Sequence, residues 1–310
     1  MVQRMTPIER AHSFGGQQRL VGIVTEPAQV QSPQQRPMVV ILNSGIIHRV
    51  GPNRLGVLLA REIAVEGCRV LRFDLSGIGD SEMRPDALPP LEAAFADIRE
   101  ALDWAEGHLG CRSFVLVGLC SGADHAVLYS GGDPRVVGAV IMDPTVPPTA
   151  KFRWRRWIRR VTNLELWRRV FTGEASAWQR VLARPGAAEA RRSRRGGPDL
   201  GSAEVRRYLE DAYRRALADS RELLAVFTDG MPSQHNYAEQ LRDALPAVDF
   251  SSRCRIAYLH GADHTFSDES QRDKLLALVR SWVREAHLKL IPGVVLAACL
   301  SAEVLDLAFA

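Results

Sequence analysis

The chain has little that would make it a stapled, metal-built or membrane-spanning protein. Its five cysteines, Cys68, Cys111, Cys120, Cys254 and Cys299, are odd in number and scattered. They fit neither a disulfide framework nor a CxxC metal pattern. The first twenty residues lack the apolar stretch of a secretory signal, and no window has the length and hydropathy of a membrane span. The expectation is therefore a cytoplasmic protein whose thiols stay reduced. A Walker loop, a Gly-x-Gly-x-x-Gly fingerprint and a cluster of metal ligands are also missing, so no cofactor and no metal is expected. No internal repeat recurs, and the net charge of +4 is small. What remains is 310 residues of ordinary apolar content, 46%, enough for one large α/β domain with an insertion.

Strand and helix patterns alternate along most of that length. Ala11 to Thr25 reads as a hairpin turning at Gly15-Gly16, and Pro37 to Asn43 as a fully buried strand. A helix follows from about Arg54 to Glu66, then a strand at Arg69–Phe73. An amphipathic helix spans Pro90 to His108 and stops at Gly110. Further strands are expected at Ser113–Leu119, Val136–Met142, Glu222–Thr228 and Cys254–Leu259. Helices are expected near Tyr237–Ala244 and Glu269–Ala286. Such alternation implies a mainly parallel sheet covered on both faces, with active groups at the carboxyl ends of its strands.

The stretch Ser113-Phe114-Val115-Leu116-Val117-Gly118-Leu119-Cys120-Ser121-Gly122 organises the rest. A buried strand ends in Gly-x-Cys-x-Gly and a helix begins at once. A side chain lifted out of the sheet by so sharp a turn needs very small residues two positions before and after it, and Gly118 and Gly122 supply them. The turn also sets Cys120 over a helix N-terminus, which favours a thiolate. Cys120 is the candidate nucleophile. The plainer alternative is an inert buried Cys in an ordinary turn. Ser121 in that role would need Leu119 as a small flank, and Leu is not small.

This elbow, with the alternation around it, resembles the α/β-hydrolase superfamily over most of the chain outside the middle. Gly-x-Cys-x-Gly in place of Gly-x-Ser-x-Gly resembles dienelactone hydrolases and polyhydroxyalkanoate synthases. A nearer likeness is to hydrolases associated with exosortase gene clusters. Its carriers are the His48-Arg49-Val50-Gly51 loop, the Asp-x-x-Gly-x-Gly-Asp-Ser-Glu loop from Asp74 to Glu82, and the Gly-Leu-Cys elbow. The resemblance implies an α/β-hydrolase fold with a mainly parallel central sheet and an inserted helical cap. The core would be 1–145 and 221–288, the cap 146–220, and the apolar tail 289–310 has no place in it.

In this fold the chain order is nucleophile, acid, histidine. His264, in a loop just past a strand, is the expected base, with His260 structural. Asp229, after the strand Glu222–Thr228, stands where family members carry the acid and is preferred to its rival Asp143, which closes the preceding strand. The oxyanion hole would take the backbone N–H of Ser121 and, from the loop Asn43–Gly51, that of Ile46, with Gly45 giving room. His48 and Arg49 are candidates for binding a substrate carboxylate or phosphate, a structural role being the alternative. The loop Asp74–Ser81 reads as structural.

From Thr145 to about Ser220 the pattern changes to Arg-crowded helices, with 18 Lys and Arg against 8 Asp and Glu. Lys151 to Val161 puts Trp154, Trp157, Ile158 and Val161 on one helical face and Arg on the other. The expectation is a cap helix packing that face on the core. The alternatives are an anionic partner, such as a carrier protein or coenzyme A substrate, or peripheral contact with a membrane surface; nucleic acid is disfavoured because no groove-reading motif accompanies the charge. Functionally the residues point to a hydrolase cleaving an ester or thioester of a small-molecule or carrier-bound acyl substrate through a Cys120 acyl-enzyme. An acyltransferase passing the acyl group to an amine or alcohol is one alternative, and a non-catalytic binding protein another.

Overall fold

Residues 38–41, 70–73, 114–119 and 224–227 are apolar or aromatic at nearly every position and buried without a break. That is the pattern of strands covered on both faces. The computed structural model, which describes residues 6–28, 36–164, 168, 172 and 199–287, builds them into an eight-stranded sheet. Its strands are β1 (Ile8–Phe14), β2 (Leu20–Glu26), β3 (Met38–Ile41), β4 (Val70–Phe73), β5 (Phe114–Leu119), β6 (Val136–Met142), β7 (Glu222–Thr228) and β8 (Cys254–Leu259). The order is β1-β2-β4-β3-β5-β6-β7-β8. The β1–β2 and β2–β4 pairs are antiparallel and the others parallel. The tail at 289–310, Cys299 and most of the segment 165–198 lie outside the described residues.

The period of two along each strand divides the core into two layers. Val39, Ile41, Val115, Val117 and Leu119 face α1 (Leu55–Val65) and the last helix, Glu269–His287. Met38, Val40, Phe114 and Leu116 face the opposite way, toward α2 (Pro90–Leu109) and α3 (Ser121–Ser130). Three further helices complete the described chain: α4 (Ala150–Val161), α5 (Ala203–Ala216) and α6 (Gln240–Ala244), so the last helix is α7.

Two expectations about the middle segment change. Helix α5 packs on α3 and adds Ala212, Tyr213 and Ala216 to the core. The body of the α/β layer therefore resumes before residue 221. In α4 the core contact is Phe152, 1% exposed, while Trp154 is 55% and Ile158 38% exposed. The Trp face thus does not pack on the core; Trp154 stacks on Trp157 instead, with ring centroids 5.0 Å apart. The helix is anchored at its first turn. Thr149 Oγ1 accepts from Phe152 N (3.0 Å) and meets Tyr237 Oη (2.7 Å), and Asn236 Nδ2 donates to the Phe152 carbonyl (3.1 Å).

At the centre of the sheet, α3 crosses β5 so closely that Gly118 and Gly122 have no room for a side chain. A Cβ on Gly118 would lie 2.1 Å from the carbonyl carbon and oxygen of Gly122, and one on Gly122 would lie 2.5 Å from the Asn43 oxygen. Since the obstacle is backbone, relief requires moving the helix. Gly118→Ala is expected to destabilise the protein by about 3 kcal/mol or more, read as a fall in the urea midpoint or loss of soluble protein.

Candidate active site

Strand β5 ends at Leu119 and α3 starts at Ser121, so the chain must reverse within one residue. Cys120 absorbs the turn at φ 56°, ψ −120°, a conformation that non-glycine residues rarely hold outside functional sites. The Cys120 N–H donates to the Met142 carbonyl of β6 (2.9 Å), and the Cys120 carbonyl accepts from Ala123 N (3.0 Å) and Asp124 N (3.1 Å). The elbow is therefore tied to strand and helix at once. Its side chain is partly exposed, whereas Cys68, Cys111 and Cys254 are buried.

Residue 143, directly after β6, is also bent, at φ 45°. The turn drives the Asp143 carboxylate, 0% exposed, into a socket of four donors. Oδ2 accepts from Thr228 Oγ1 (2.6 Å) and His264 Nδ1 (2.8 Å). Oδ1 accepts from Thr228 N at 2.8 Å and lies 3.1 Å from His235 Nε2. Burial alone would raise the Asp143 pKa; the close contact with His235 and the hydrogen bonds from His264 and Thr228 outweigh it and hold the group down at about 2. The acid beside His264 is Asp143 and not Asp229, contrary to the sequence expectation. The Asp229 side chain, 48% exposed, turns away to accept from Gly261 N (2.8 Å), 3.7 Å from His260 Nδ1. It braces the loop that carries His264 without touching the imidazole.

His264 reaches its position because that loop passes hard against the chain after β7. A Cβ on Gly230 would lie 2.0 Å from His264 N. Asp263 fixes the loop's shape, its oxygens accepting from Thr265 N (2.7 Å), Thr265 Oγ1 (2.6 Å), Ser267 N (3.0 Å) and the Ser267 hydroxyl. With Nδ1 on Asp143, the ring presents Nε2 to the nucleophile. The hydrogen bond to Asp143, and then that to Cys120, raise the imidazole pKa to about 9. His264 thus stands between the Asp143 carboxylate and the Cys120 sulfur. His260 stands apart, 82% exposed, its ring 4.7 Å from that of Tyr258.

The loop after β3 meets the elbow through Gly45 N, which donates to Ser121 Oγ at 2.7 Å. Gly45 (φ 56°) and Ile46, 92% exposed, form the tip of a turn closed by Ile47 N to the Ser44 carbonyl, 3.0 Å. Ser121 opens α3, where no earlier turn of the helix can take its N–H. Arg49 is committed elsewhere. Its guanidinium pairs with Asp74 and Asp80, and its N–H donates to Asp74 Oδ1 at 2.5 Å. The structural alternative is the one that these bonds support. His48 is exposed, its Nδ1 accepting from Val50 N at 3.4 Å. Thr228, His235 and Gly230 were not singled out by sequence reasoning. A Thr just before Asp229 is an ordinary strand residue, and nothing around His235 marks it.

An elbow over a helix N-terminus at the centre of a parallel sheet, with an Asp-bonded imidazole beside it, defines an α/β protein of hydrolase type. The family model described as the alpha/beta hydrolase family matches residues 39–294, and the chain belongs to that family; it is an α/β-fold hydrolase. No curated protein sequence matches it. Among solved structures, proline iminopeptidase from Mycobacterium smegmatis is 15% identical with TM-score 0.55, covering 91% of this chain and 99% of its own. Dienelactone hydrolase from Anabaena variabilis is 14% identical with TM-score 0.54, covering 91% and 99%. The esterase domain of a Rhodothermus marinus protein is 17% identical with TM-score 0.52, covering 90% and 98%. At such identity these structures share the fold.

Burial pushes the Cys68 thiol up to about 11 and that of Cys254 up to about 12, and it raises Cys111 as well. Brief iodoacetamide treatment at neutral pH should therefore label Cys120 well before these three, read by peptide mass spectrometry. Prior labelling of any of them would refute the thiol order.

A second expectation concerns pH. Because the folded pKa of His264, about 9, lies above the ordinary histidine value of 6.5, its charge-assisted bonds stabilise the fold fully below about pH 6.5 and lose that effect as pH rises through 9. The stability gap between wild type and His264→Gln should shrink from pH 6 to pH 10 in urea unfolding.

Proposed function

We propose that the protein hydrolyses an ester or thioester through a Cys120 acyl-enzyme, with His264 as acid and base and Asp143 as its partner. The observation that carries this reading is the imidazole hydrogen-bonded on one side to a buried ionised carboxylate and on the other to a thiol held at φ 56°. A structural Cys needs neither the strained turn nor the imidazole. The Cys120 thiolate attacks the acyl carbonyl, forming the S–C bond and an oxyanion for which the Ser121 N–H and the Ile46 N–H are the proposed donors. The imidazolium then gives its proton to the leaving alkoxide or thiolate as the C–O or C–S bond breaks. Water, deprotonated by the now neutral His264, attacks the thioester, and release of the acid restores the thiolate–imidazolium pair. Asp143 stays ionised throughout, fixing the tautomer and offsetting the imidazolium charge.

A cavity of about 230 Å³ between α3 and α5, lined by Val127, Leu128, Val205, Leu209 and Tyr213, begins one turn along α3 from the elbow. Its apolar lining suits the acyl part of such a substrate. The likeness of the Asp74–Glu82 loop and the elbow to exosortase-associated hydrolases belongs to the same proposal, as does a reducing compartment that keeps Cys120 a thiol.

Wild type and Cys120→Ala, offered p-nitrophenyl butyrate and butyryl-coenzyme A, test the reading. Turnover and a butyryl adduct on Cys120 are expected only in the wild type, and full activity in Cys120→Ala would refute the mechanism. Adding an amine or alcohol and analysing the products separates hydrolysis from acyl transfer.

Asp143→Asn should lower kcat by up to about 10⁴-fold, the loss seen when a serine triad's base is misoriented, and by less where the nucleophile is a more acidic thiol. Asp229→Asn should stay close to wild type. The reverse order would return the acid role to Asp229.

A further inference from the structure

The second imidazole on Asp143 has no part in the mechanism above. His235 is 1% exposed, packed edge-on against Phe227 and Tyr258 with ring centroids 5.0 and 6.2 Å away. An apolar ring would fill that space without cost. A histidine there brings two nitrogens out of water, and Nδ1 has no hydrogen-bond partner among the described residues, a burial that normally lowers stability. Nε2, by contrast, lies 3.1 Å from Asp143 Oδ1. At that distance it still makes no hydrogen bond. The short distance and complete burial nonetheless make it an electrostatic partner of the carboxylate. Each Asp143 oxygen thus has one Thr228 donor and one imidazole, His264 on Oδ2 and His235 on Oδ1.

The segment around His235 is built rather than loose. Its N–H donates to the Met231 carbonyl (3.0 Å). The side chain of buried Gln240 closes the segment from below, Oε1 accepting from Asn236 N (3.0 Å) and Nε2 donating to the Gln234 carbonyl (2.9 Å).

We propose that His235 is a positioning residue for the active site: its Nε2, buried 3.1 Å from Oδ1, holds the second oxygen of Asp143 in place and competes with His264 for the charge on that carboxylate. The inference rests on the triad reading given under Proposed function. The groups facing His235 are Asp143 and, across it, His264; from β8, Tyr258, whose hydroxyl contacts Asp229 and feels the charge of Arg159 on α4; and, next to Tyr258, the exposed His260. Two donors on one carboxylate weaken each other, because each draws on the same negative charge. His235 therefore tempers how firmly Asp143 holds the His264 proton while preventing the carboxylate from rotating away.

The test uses the full-length protein with His235→Phe, which keeps ring volume and removes the donor, and His235→Gln, whose amide restores a donor. With p-nitrophenyl butyrate, His235→Phe is expected to lower kcat roughly tenfold, the effect of one lost polar contact, with KM little changed. The alkaline midpoint of its pH–kcat profile should move upward, since Asp143 then binds the His264 proton more tightly. His235→Gln should return both toward wild type. A folded His235→Phe protein with wild-type kcat and alkaline midpoint would overturn the proposal, because a space-filling role moves neither. A measurement on the wild type decides the matter if the Phe variant does not fold. By ¹⁵N NMR, His235 should carry its proton on Nε2 at neutral pH, and that signal should shift in Asp143→Asn. A bare Nε2, or a signal indifferent to Asp143→Asn, would overturn it. Turnover retained in Cys120→Ala would sink the triad reading instead, and these imidazole signals would still judge the contact with Asp143.

Discussion

A carboxylate with no exposure to water is the constraint around which this site is arranged. Left alone in the core, an ionised Asp143 would be strongly destabilising and would neutralise. It stays charged because Thr228, His264 and His235 surround it. Those donors come from three separate places: the last residue of β7, the loop after β8, and the segment before α6. Meeting the needs of one carboxylate therefore fixes how three stretches of chain lie at the carboxyl edge of the sheet. The imidazole that results is poised against Cys120 as a by-product of that satisfaction.

Much of this was legible in the sequence. Strand positions followed from short runs of β-branched and apolar residues, and the elbow from glycines two residues either side of Cys120. The clash distances at Gly118 and Gly122 show why no larger residue could stand there. His264 was legible from its loop after the last strand. The acid was not. Asp143 and Asp229 each directly follow the end of neighbouring parallel strands, so a linear pattern treats them alike. What separates them is three-dimensional: the left-handed turn at Asp143 that swings its carboxylate inward, and the crossing of the His264 loop at Gly230, which leaves Asp229 on the outer side beside Gly261. The exposed face of α4 was illegible for a similar reason. Periodicity shows that Trp154 and Ile158 share a face with an apolar stripe but not whether anything lies against it.

The loop between β3 and α1 has only a bridge between Ser44 and Ile47 and one 3₁₀ turn, Pro52–Arg54, to hold it, yet it must meet the elbow. Its stiffness comes from a second buried carboxylate. Asp74, 0% exposed, accepts from Asn43 Nδ2 (3.2 Å), from the Arg49 N–H and guanidinium, and from Asp80 N (3.3 Å). Asn43 also accepts from Leu75 N at 2.7 Å and donates to the Ile47 carbonyl at 2.9 Å. One side chain thus joins the loop after β3 to the loop after β4. Arg49, which by composition invites a role in binding anions, is one of the clasps.

Because the carboxylate that meets His264 stands at the end of β6, the stretch after β7 does not have to supply it. Its consecutive residues do two other jobs. His235 touches Asp143, while Asn236 and Tyr237 grip the first turn of α4. Within this segment the change of role falls at a single peptide bond, between residues 235 and 236. For a protein engineer replacing α4 with another helix, Asn236 and Tyr237 are the partners to redesign with it, while His235, one residue earlier, is to be left as it is.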